Sequence, residues 1–179
     1  MTPRVVLVGP MGAGKSTVAG LLAARWGVAA RDTDDDIEAS AGRPIPEIFV
    51  DDGEERFRAL ERAAVAEALA AHDGVLALGG GSVLDADTRS DLRSQRVVFL
   101  RVGLTDAVKR VGLGSGRPLL LGNVRSRLKL LLDERQPVYD SVADFTVDTD
   151  GRDPHDVADE VARLVEDGER ASAAAGGLS

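Results

Sequence analysis

A chain of 179 residues is long enough for one well-buried domain and short for two. An apolar content of 44% excludes a disordered chain or a fibre, and the absence of cysteine excludes disulfides, thiolate metal sites and a cysteine nucleophile. A formal net charge of −8 argues against non-specific binding to nucleic acid or to an anionic membrane.

No apolar run approaches the roughly 20 residues of a membrane-spanning helix. Met1 to Arg4 lead within a few residues into a strand, so a signal peptide is not expected and a cytoplasmic location follows by default. Only Lys15, Lys109 and Lys129 among the 22 basic residues are lysine. A GC-rich genome accounts for most of that bias, but particular arginines suit two-pronged gripping of carboxylates and phosphates.

Val5 to Val8 form a continuous apolar run, the pattern of a strand buried on both faces. A helix follows from about Lys15 to Trp26, then a weaker strand over Val28 to Arg31. Residues Glu54 to Ala71 place Phe57, Leu60, Ala64, Val65 and Ala68 on one helical face. Val75 to Leu78, Val97 to Val102 and Phe145 to Asp148 read as further strands. Thr105 is the expected N-cap of a helix reaching about Val111, and Val124 to Gln136 the next helix, stopped by Pro137. Asp153 and Pro154 open a last helix as cap and first residue. From about Asp167 the Ala-, Gly- and Ser-rich end reads as a disordered tail. Alternation of this kind predicts a parallel sheet with helices on both faces.

Gly9 to Ser16 fit the spacing G-x-x-x-x-G-K-[ST] directly after a strand and at the opening of a helix. Glycines let successive N–H groups turn inward as an anion cradle, and the helix N-terminus adds its positive dipole end. Lys15 reaches the β- and γ-phosphates, and the Ser16 hydroxyl is a hard oxygen ligand suited to Mg²⁺. The segment therefore predicts binding of a nucleoside triphosphate, ATP with Mg²⁺.

Four further constellations follow. Asp32 and Asp34 stand at the carboxyl end of the second strand, where ligands of open parallel sheets collect. They can divide the work between Mg²⁺ and an acceptor hydroxyl, or be no more than a solvated loop and helix cap. Glu54, Arg58 and Glu61 share a helix face beside Phe57, which surface ion pairing would also explain. Gly79, Gly80 and Gly81 destabilise any regular element, so backbone approaching a ligand is the functional reading and a plain loop the alternative. Gly112 to Pro118 bring Arg117 to the end of a segment suited to a lid, or to an ordinary mobile loop. Arg135, late on its helix, is either an anion-binding group or a partner of the helix dipole.

In order, GPMGAGKST, RDTDDDIE, GRPIPEIFVDDGEERFRALE, LALGGGSV, RPLL and ERQPVY resemble the shikimate kinase family, P-loop kinases related to nucleoside monophosphate kinases. The resemblance covers about Arg4 to Leu164. It implies a three-layer α/β/α fold with a five-stranded parallel sheet, a single domain over 1–166 and a mobile lid at about 112–122. It implies phosphorylation of the 3-hydroxyl of shikimate by ATP, with a gluconate-type kinase as the alternative. Gly12, Ala13, Gly14, Lys15, Ser16 and Thr17 then match the phosphate cradle, and Ser16 and Asp32 the Mg²⁺ site. Asp34 matches the base and hydroxyl contact, Arg58 and Arg135 the carboxylate grip, and Gly79 to Gly81 the backbone facing the acceptor. Arg117 matches the lid arginine at the transferring phosphoryl group, and Arg110 and Arg152 the positions flanking adenine. Ile45, Phe49 and Phe57 match the apolar wall beside the acceptor ring. A strongly raised pKa for Asp34 is not required, since the proton moves late. A monomer is the default expectation.

Overall fold

The computed structural model describes residues 1–115 and 121–176, with the side chains of 112–115 and 121–123 left aside. Five strands, β1 Val5–Val8, β2 Ala30–Asp32, β3 Val75–Ala77, β4 Val97–Arg101 and β5 Phe145–Asp148, form one parallel sheet in the order β2-β3-β1-β4-β5. Seven α-helices surround it among the described residues: α1 Lys15–Trp26, α2 Thr33–Ala41, α3 Ile45–Ala71, α4 Ala86–Leu92, α5 Leu104–Ser115, α6 Leu121–Val142 and α7 Pro154–Gly176. This is the three-layer α/β/α architecture that the alternation predicts.

The strands read as unbroken apolar runs because both of their faces are covered. Val5 and Leu7 point with Val98 and Leu100 into a core closed by Val18 and Leu22 of α1 and Val157, Val161 and Val165 of α7. Val6 and Val8 point the other way with Leu76 and Phe99, against Val65 and Leu69 of α3, Leu92 of α4 and Tyr139 of α6. A third, smaller cluster of Ile37, Ile48 and Phe57 ties α2 to α3 outside the sheet. Among the described residues no helix is long and apolar enough to cross a membrane.

Several elements differ from their sequence expectation, each for a physical reason. The second strand lies two residues later, over Ala30–Asp32, because its partners in β3 pair Ala30 with Val75 and Asp32 with Ala77. Helix α3 begins at Ile45, nine residues before Glu54, with Pro46 in its first turn and a break at Gly53 (φ 83°, ψ 167°). Its early segment is held by Ile48, fully buried in the third cluster. Thr105 does not cap α5: the helix begins at Leu104, and the Gly103 carbonyl accepts from Ala107 N at 3.0 Å. Pro137 does not stop α6, which runs on to Val142. The lost N–H costs one helical bond, whereas continuing the helix buries Tyr139 against Phe99, ring centroids 4.9 Å apart.

The expected disordered tail is corrected most plainly. Helix α7 continues through residues 167–176 to Gly176. Glu169 accepts from Arg4 Nε and Nη2, both at 3.0 Å, and from Arg96 Nη1 at 3.3 Å, fastening the helix to the start of β1 and to the residue before β4. Arg4 in turn lies over the Trp26 ring at 4.1 Å. Alanine-rich composition reads as low complexity, yet it is also the best helix former. Truncation after Glu166 is expected to lower the thermal midpoint by a few degrees, since such half-exposed ion pairs contribute about 1 kcal/mol or less. An unchanged midpoint in a thermal scan would show that the last turns of α7 contribute nothing to the fold.

Candidate active site

β1 is the centre of the sheet, and the chain crosses to opposite sides of it, so the carboxyl end of β1 lies at the switch point where such sheets bind ligands. Gly9 leaves the strand there with φ 152°, and a β-carbon on it would stand 2.5 Å from the Leu100 carbonyl of β4. Only glycine fits so close to a neighbouring strand. Gly14, also left-handed at φ 87°, precedes the first turn of α1. The loop folds on itself through Lys15, whose ammonium donates to the Gly9 carbonyl at 2.8 Å and to the Pro10 carbonyl at 3.0 Å. Burial lowers the Lys15 pKa to about 8, against the pull of Asp34 and Asp32.

Asp32 ends β2 and caps α2, its Oδ1 accepting from Asp34 N at 2.9 Å, as the plain helix-cap reading expects. Its other oxygen, Oδ2, accepts from Ser16 Oγ at 2.6 Å. The phosphate loop and the acidic loop thus meet through the two residues assigned to Mg²⁺. No group of three or more His, Asp or Glu able to hold a metal occurs among the described residues. A hydroxyl and a carboxylate side by side beside a phosphate cradle fit Mg²⁺, which binds through few protein oxygens and keeps phosphate oxygens and water as its other ligands.

A cavity of about 540 Å³ opens beside this junction. Gly12, Gly14, Lys15, Ser16 and Thr17 line one side, with Asp32 and Asp34; Ile45, Phe49, Phe57, Arg58, Gly80, Gly81 and Arg135 line the other. Phe49 and Phe57 pack with centroids 4.5 Å apart, and the Arg58 guanidinium lies 5.3 Å over the Phe57 ring. The glycine run passes along the floor. A β-carbon on Gly79 would meet Asp34 Oδ1 at 2.5 Å, and one on Gly81 would meet Arg58 Nη1 at 2.3 Å. A side chain at either position would push on the Asp34 carboxyl or the Arg58 guanidinium, so glycine lets the backbone pass close to both.

Asp34 is held up to about 6, first by burial and then by repulsion from Asp32, Glu61 and Asp35, with Lys15 opposing. Glu61 is only 4% exposed, and Arg58 Nη1 donates to its Oε2 at 2.7 Å, while Glu54 stands 3.5 Å off in solvent. Surface ion pairing therefore describes Glu54 but not Glu61. Tyr139, buried behind the glycine run, donates to the Gly80 carbonyl at 2.5 Å, and burial pushes its hydroxyl up to about 12 despite the adjacent Arg135.

A second cleft of about 260 Å³ lies on the far side of the loop, lined by Ala13, Gly14, Thr17, Arg110, Arg152 and Pro154. Arg110 donates to the Gly12 carbonyl at 2.9 Å and to the Thr149 carbonyl at 2.9 Å; Arg152 donates to the Asp148 carbonyl at 2.9 Å and to Glu160 at 2.6 Å. Every site residue assigned from the sequence thus borders one of two clefts flanking the loop, Gly79 through its approach to Asp34, with one exception. Arg117 lies outside the described residues, with 116–120 of the expected lid. Sequence reasoning left unassigned Glu61, Thr33, Thr149 and Tyr139. Glu61, Thr33 and Tyr139 stood within the quoted motifs; for Thr149 the sequence offers no signal.

A phosphate loop at the centre of a 2-3-1-4-5 parallel sheet, with an acidic loop and a cavity lined by Arg58 and Arg135 beside it, defines a P-loop kinase of the nucleoside-monophosphate-kinase type. A family model described as "Shikimate kinase" matches residues 11–166, and the chain belongs to that family of ATP-dependent phosphotransferases. It is 60% identical to a shikimate kinase of Salinispora arenicola over 92% of this chain and 99% of that one, and 56% identical to one of Thermobifida fusca over 90% and 94%. Among solved structures, a shikimate kinase from Acinetobacter baumannii in complex with shikimate superposes with a TM-score of 0.86 at 36% identity, covering 94% of this chain and 95% of that one. A gluconokinase from Sinorhizobium meliloti, at 23% identity and a TM-score of 0.54, shares the fold alone.

The raised Asp34 pKa has a consequence for stability. The folded protein holds this proton more tightly than the unfolded chain, so stability is lost as pH rises from about 4 through about 6, by about 1–3 kcal/mol. Asp34→Asn removes that cost. In ligand-free, metal-free protein its thermal midpoint is expected to exceed the wild type's at about pH 8, with the gain gone by about pH 4. A midpoint at about pH 8 equal to or below the wild type's would contradict the assigned burial cost.

Proposed function

We propose that this chain transfers the γ-phosphoryl group of ATP to the 3-hydroxyl of shikimate, giving shikimate 3-phosphate and ADP. The observation that carries this reading is the pairing, in one cavity, of two guanidiniums with an ionisable carboxyl across from a phosphate loop. Arg58 and Arg135 fit a carboxylate on the acceptor. Asp34, between them and the loop, fits a hydroxyl that must be aimed at the γ-phosphoryl and lose its proton.

Phosphoryl transfer asks for alignment and charge stabilisation more than covalent chemistry. The cradle amides of Gly12 to Thr17 hold the β- and γ-phosphates, and Lys15 leaves its carbonyl partners to pair with them. Ser16 and Asp32, already joined by a hydrogen bond, would hold Mg²⁺. The ion supplies charge neutralisation across the phosphate oxygens. With a pKa of about 6, Asp34 is ionised at neutral pH yet basic enough to take the hydroxyl proton as it becomes acidic. Gly79, Gly80 and Gly81 bring backbone against the acceptor, whose ring rests on Ile45, Phe49 and Phe57. Arg110 and Arg152 flank the adenine in the second cleft, and Arg117 is assigned to the transferring phosphoryl group on its place in the RPLL motif. A monomer in the cytoplasm accords with the charge and composition.

The carboxylate grip discriminates against uncharged polyols, which would bring no anion to Arg58 and Arg135, and the apolar wall of Ile45, Phe49 and Phe57 favours a ring over an open chain such as gluconate. Coupled ADP release with ATP, Mg²⁺ and shikimate is expected to far exceed that with gluconate or nucleoside monophosphates. A faster reaction with any of those acceptors would overturn the assignment. Arg58→Ala is expected to raise KM for shikimate at least tenfold with little change for ATP, and equal losses for both would refute the grip. Asp34→Asn is expected to keep ATP affinity and to lose roughly a hundredfold or more in kcat. Full turnover in that variant would remove Asp34 from the chemistry.

A further inference from the structure

Gly79 to Gly81 have no side chains with which to fix their own position, yet the acceptor must meet this backbone within a fraction of an ångström. Three hydroxyls from outside the run hold it. Ser82 Oγ donates to the Gly79 carbonyl at 2.7 Å, and Tyr139 Oη donates to the Gly80 carbonyl. The third is Thr33, whose Oγ1 accepts from Gly79 N at 3.1 Å.

Thr33 differs from the other two in what it connects. It sits between Asp32 and Asp34 at the first position of α2 and is completely buried. The β2–β3 ladder ends with the pair Asp32 and Ala77. Beyond that pair the backbone of residue 33 turns into α2, so its carbonyl points along the helix and is lost to the sheet. Gly79 N–H would then be a buried donor with no partner. The Thr33 hydroxyl stands in for the missing carbonyl and extends the pairing of the two chain segments past the end of the ladder. Helix capping does not occupy it, because Asp32 already accepts from Asp34 N.

We infer that Thr33 is a positioning residue for phosphoryl transfer: its hydroxyl, through Gly79 N–H, fixes the glycine run relative to the loop that carries Asp34. The inference rests on the reading of Asp34 and the glycine run as the groups that face the acceptor. A β-carbon on Gly79 would meet Asp34 Oδ1 at 2.5 Å and Glu61 Oε1 at 2.9 Å, so the pinned backbone and the carboxyl already stand in contact. Nothing on the nucleotide side passes through this bond: Ser16 and Lys15 reach Asp32 and the loop carbonyls instead.

Thr33→Val keeps the shape and removes the acceptor, and Thr33→Ser keeps the acceptor. Both are tested by coupled ADP release with shikimate, alongside thermal midpoints and the exchange rate of the Gly79 amide. Thr33→Val is expected to lower kcat roughly ten- to hundredfold with KM for ATP within about twofold of wild type. Thr33→Ser is expected to restore most of that kcat, and the Gly79 amide to exchange slowly in wild type and serine forms and rapidly in the valine form. Should the valine form not fold, Thr33→Ala carries the same expectation, and the wild-type amide rate still decides. Rapid Gly79 exchange in the wild type, a valine form with kcat within twofold of wild type, or a serine form as impaired as valine would each overturn the inference. A loss seen mainly in KM for ATP would overturn it as well. A wild type without shikimate-dependent ADP release would instead overturn the functional reading itself.

Discussion

Gly9 turns out of β1 with its Cα pressed against the Leu100 carbonyl of β4, and the rest of the site is arranged around that turn. Because β1 is the middle strand of a parallel sheet, its neighbours on both sides send their exit loops to the same edge. The β3 side delivers the glycine run and, through β2, the acidic loop; the β4 and β5 side delivers Arg110 and the loop of Arg152. One backbone bend at the centre of a sheet thus sorts the surrounding groups between two clefts, which the proposed function gives to the acceptor and to the nucleotide. Gly14 and Thr17, which line both clefts, mark the border between them.

The two sides are built from different materials. The nucleotide side relies on backbone: amides of the loop, a helix N-terminus, and carbonyls that hold Lys15 and Arg110 in place. Such groups carry fixed dipoles and cost little to bury. On the acceptor side charged side chains crowd together, with Asp34, Glu61, Arg58 and Arg135 about one cavity. Glu61 has lost nearly all contact with water, and that burial raises its pKa although the Arg58 guanidinium opposes the effect. That pair holds one face of Arg58 still and leaves the remaining donors free for an incoming anion.

Much of this was legible in the sequence, and the failures share one cause. The phosphate loop follows from spacing plus a preceding apolar run, and the acidic loop and glycine run follow from their places at strand ends. What local pattern could not supply was tertiary partnership. Pro137 reads as a stop until Tyr139, two residues on, is seen stacked on Phe99. The alanine-rich end reads as a tail until Glu169 is placed between Arg4 and Arg96. Glu54 and Glu61 look alike on a helical projection, and only packing shows that one is in solvent and the other sealed. Thr33 was hidden for the same reason, since its partner lies 46 residues away in β3's exit loop.

Burial gives the site a definite electrostatic cost. Asp34 is raised toward neutrality and Lys15 lowered toward it, both chiefly by loss of water. Each shift destabilises the charged form that catalysis requires at neutral pH. The ligands correct this unequally. On the proposed reaction, a triphosphate with its cation would bring negative charge next to Lys15 and an acceptor carboxylate would bring it next to Arg58 and Arg135, so the cationic groups would gain partners in the ternary complex. Asp34 gains none: its counterpart is a neutral hydroxyl. On the proposed reaction Asp34, unlike Lys15, Arg58 and Arg135, would meet no opposite charge on a substrate, and taking the proton of the hydroxyl as the phosphoryl group arrives would relieve it. Stability forgone in the free protein is in this way held at the atom where the proton must go.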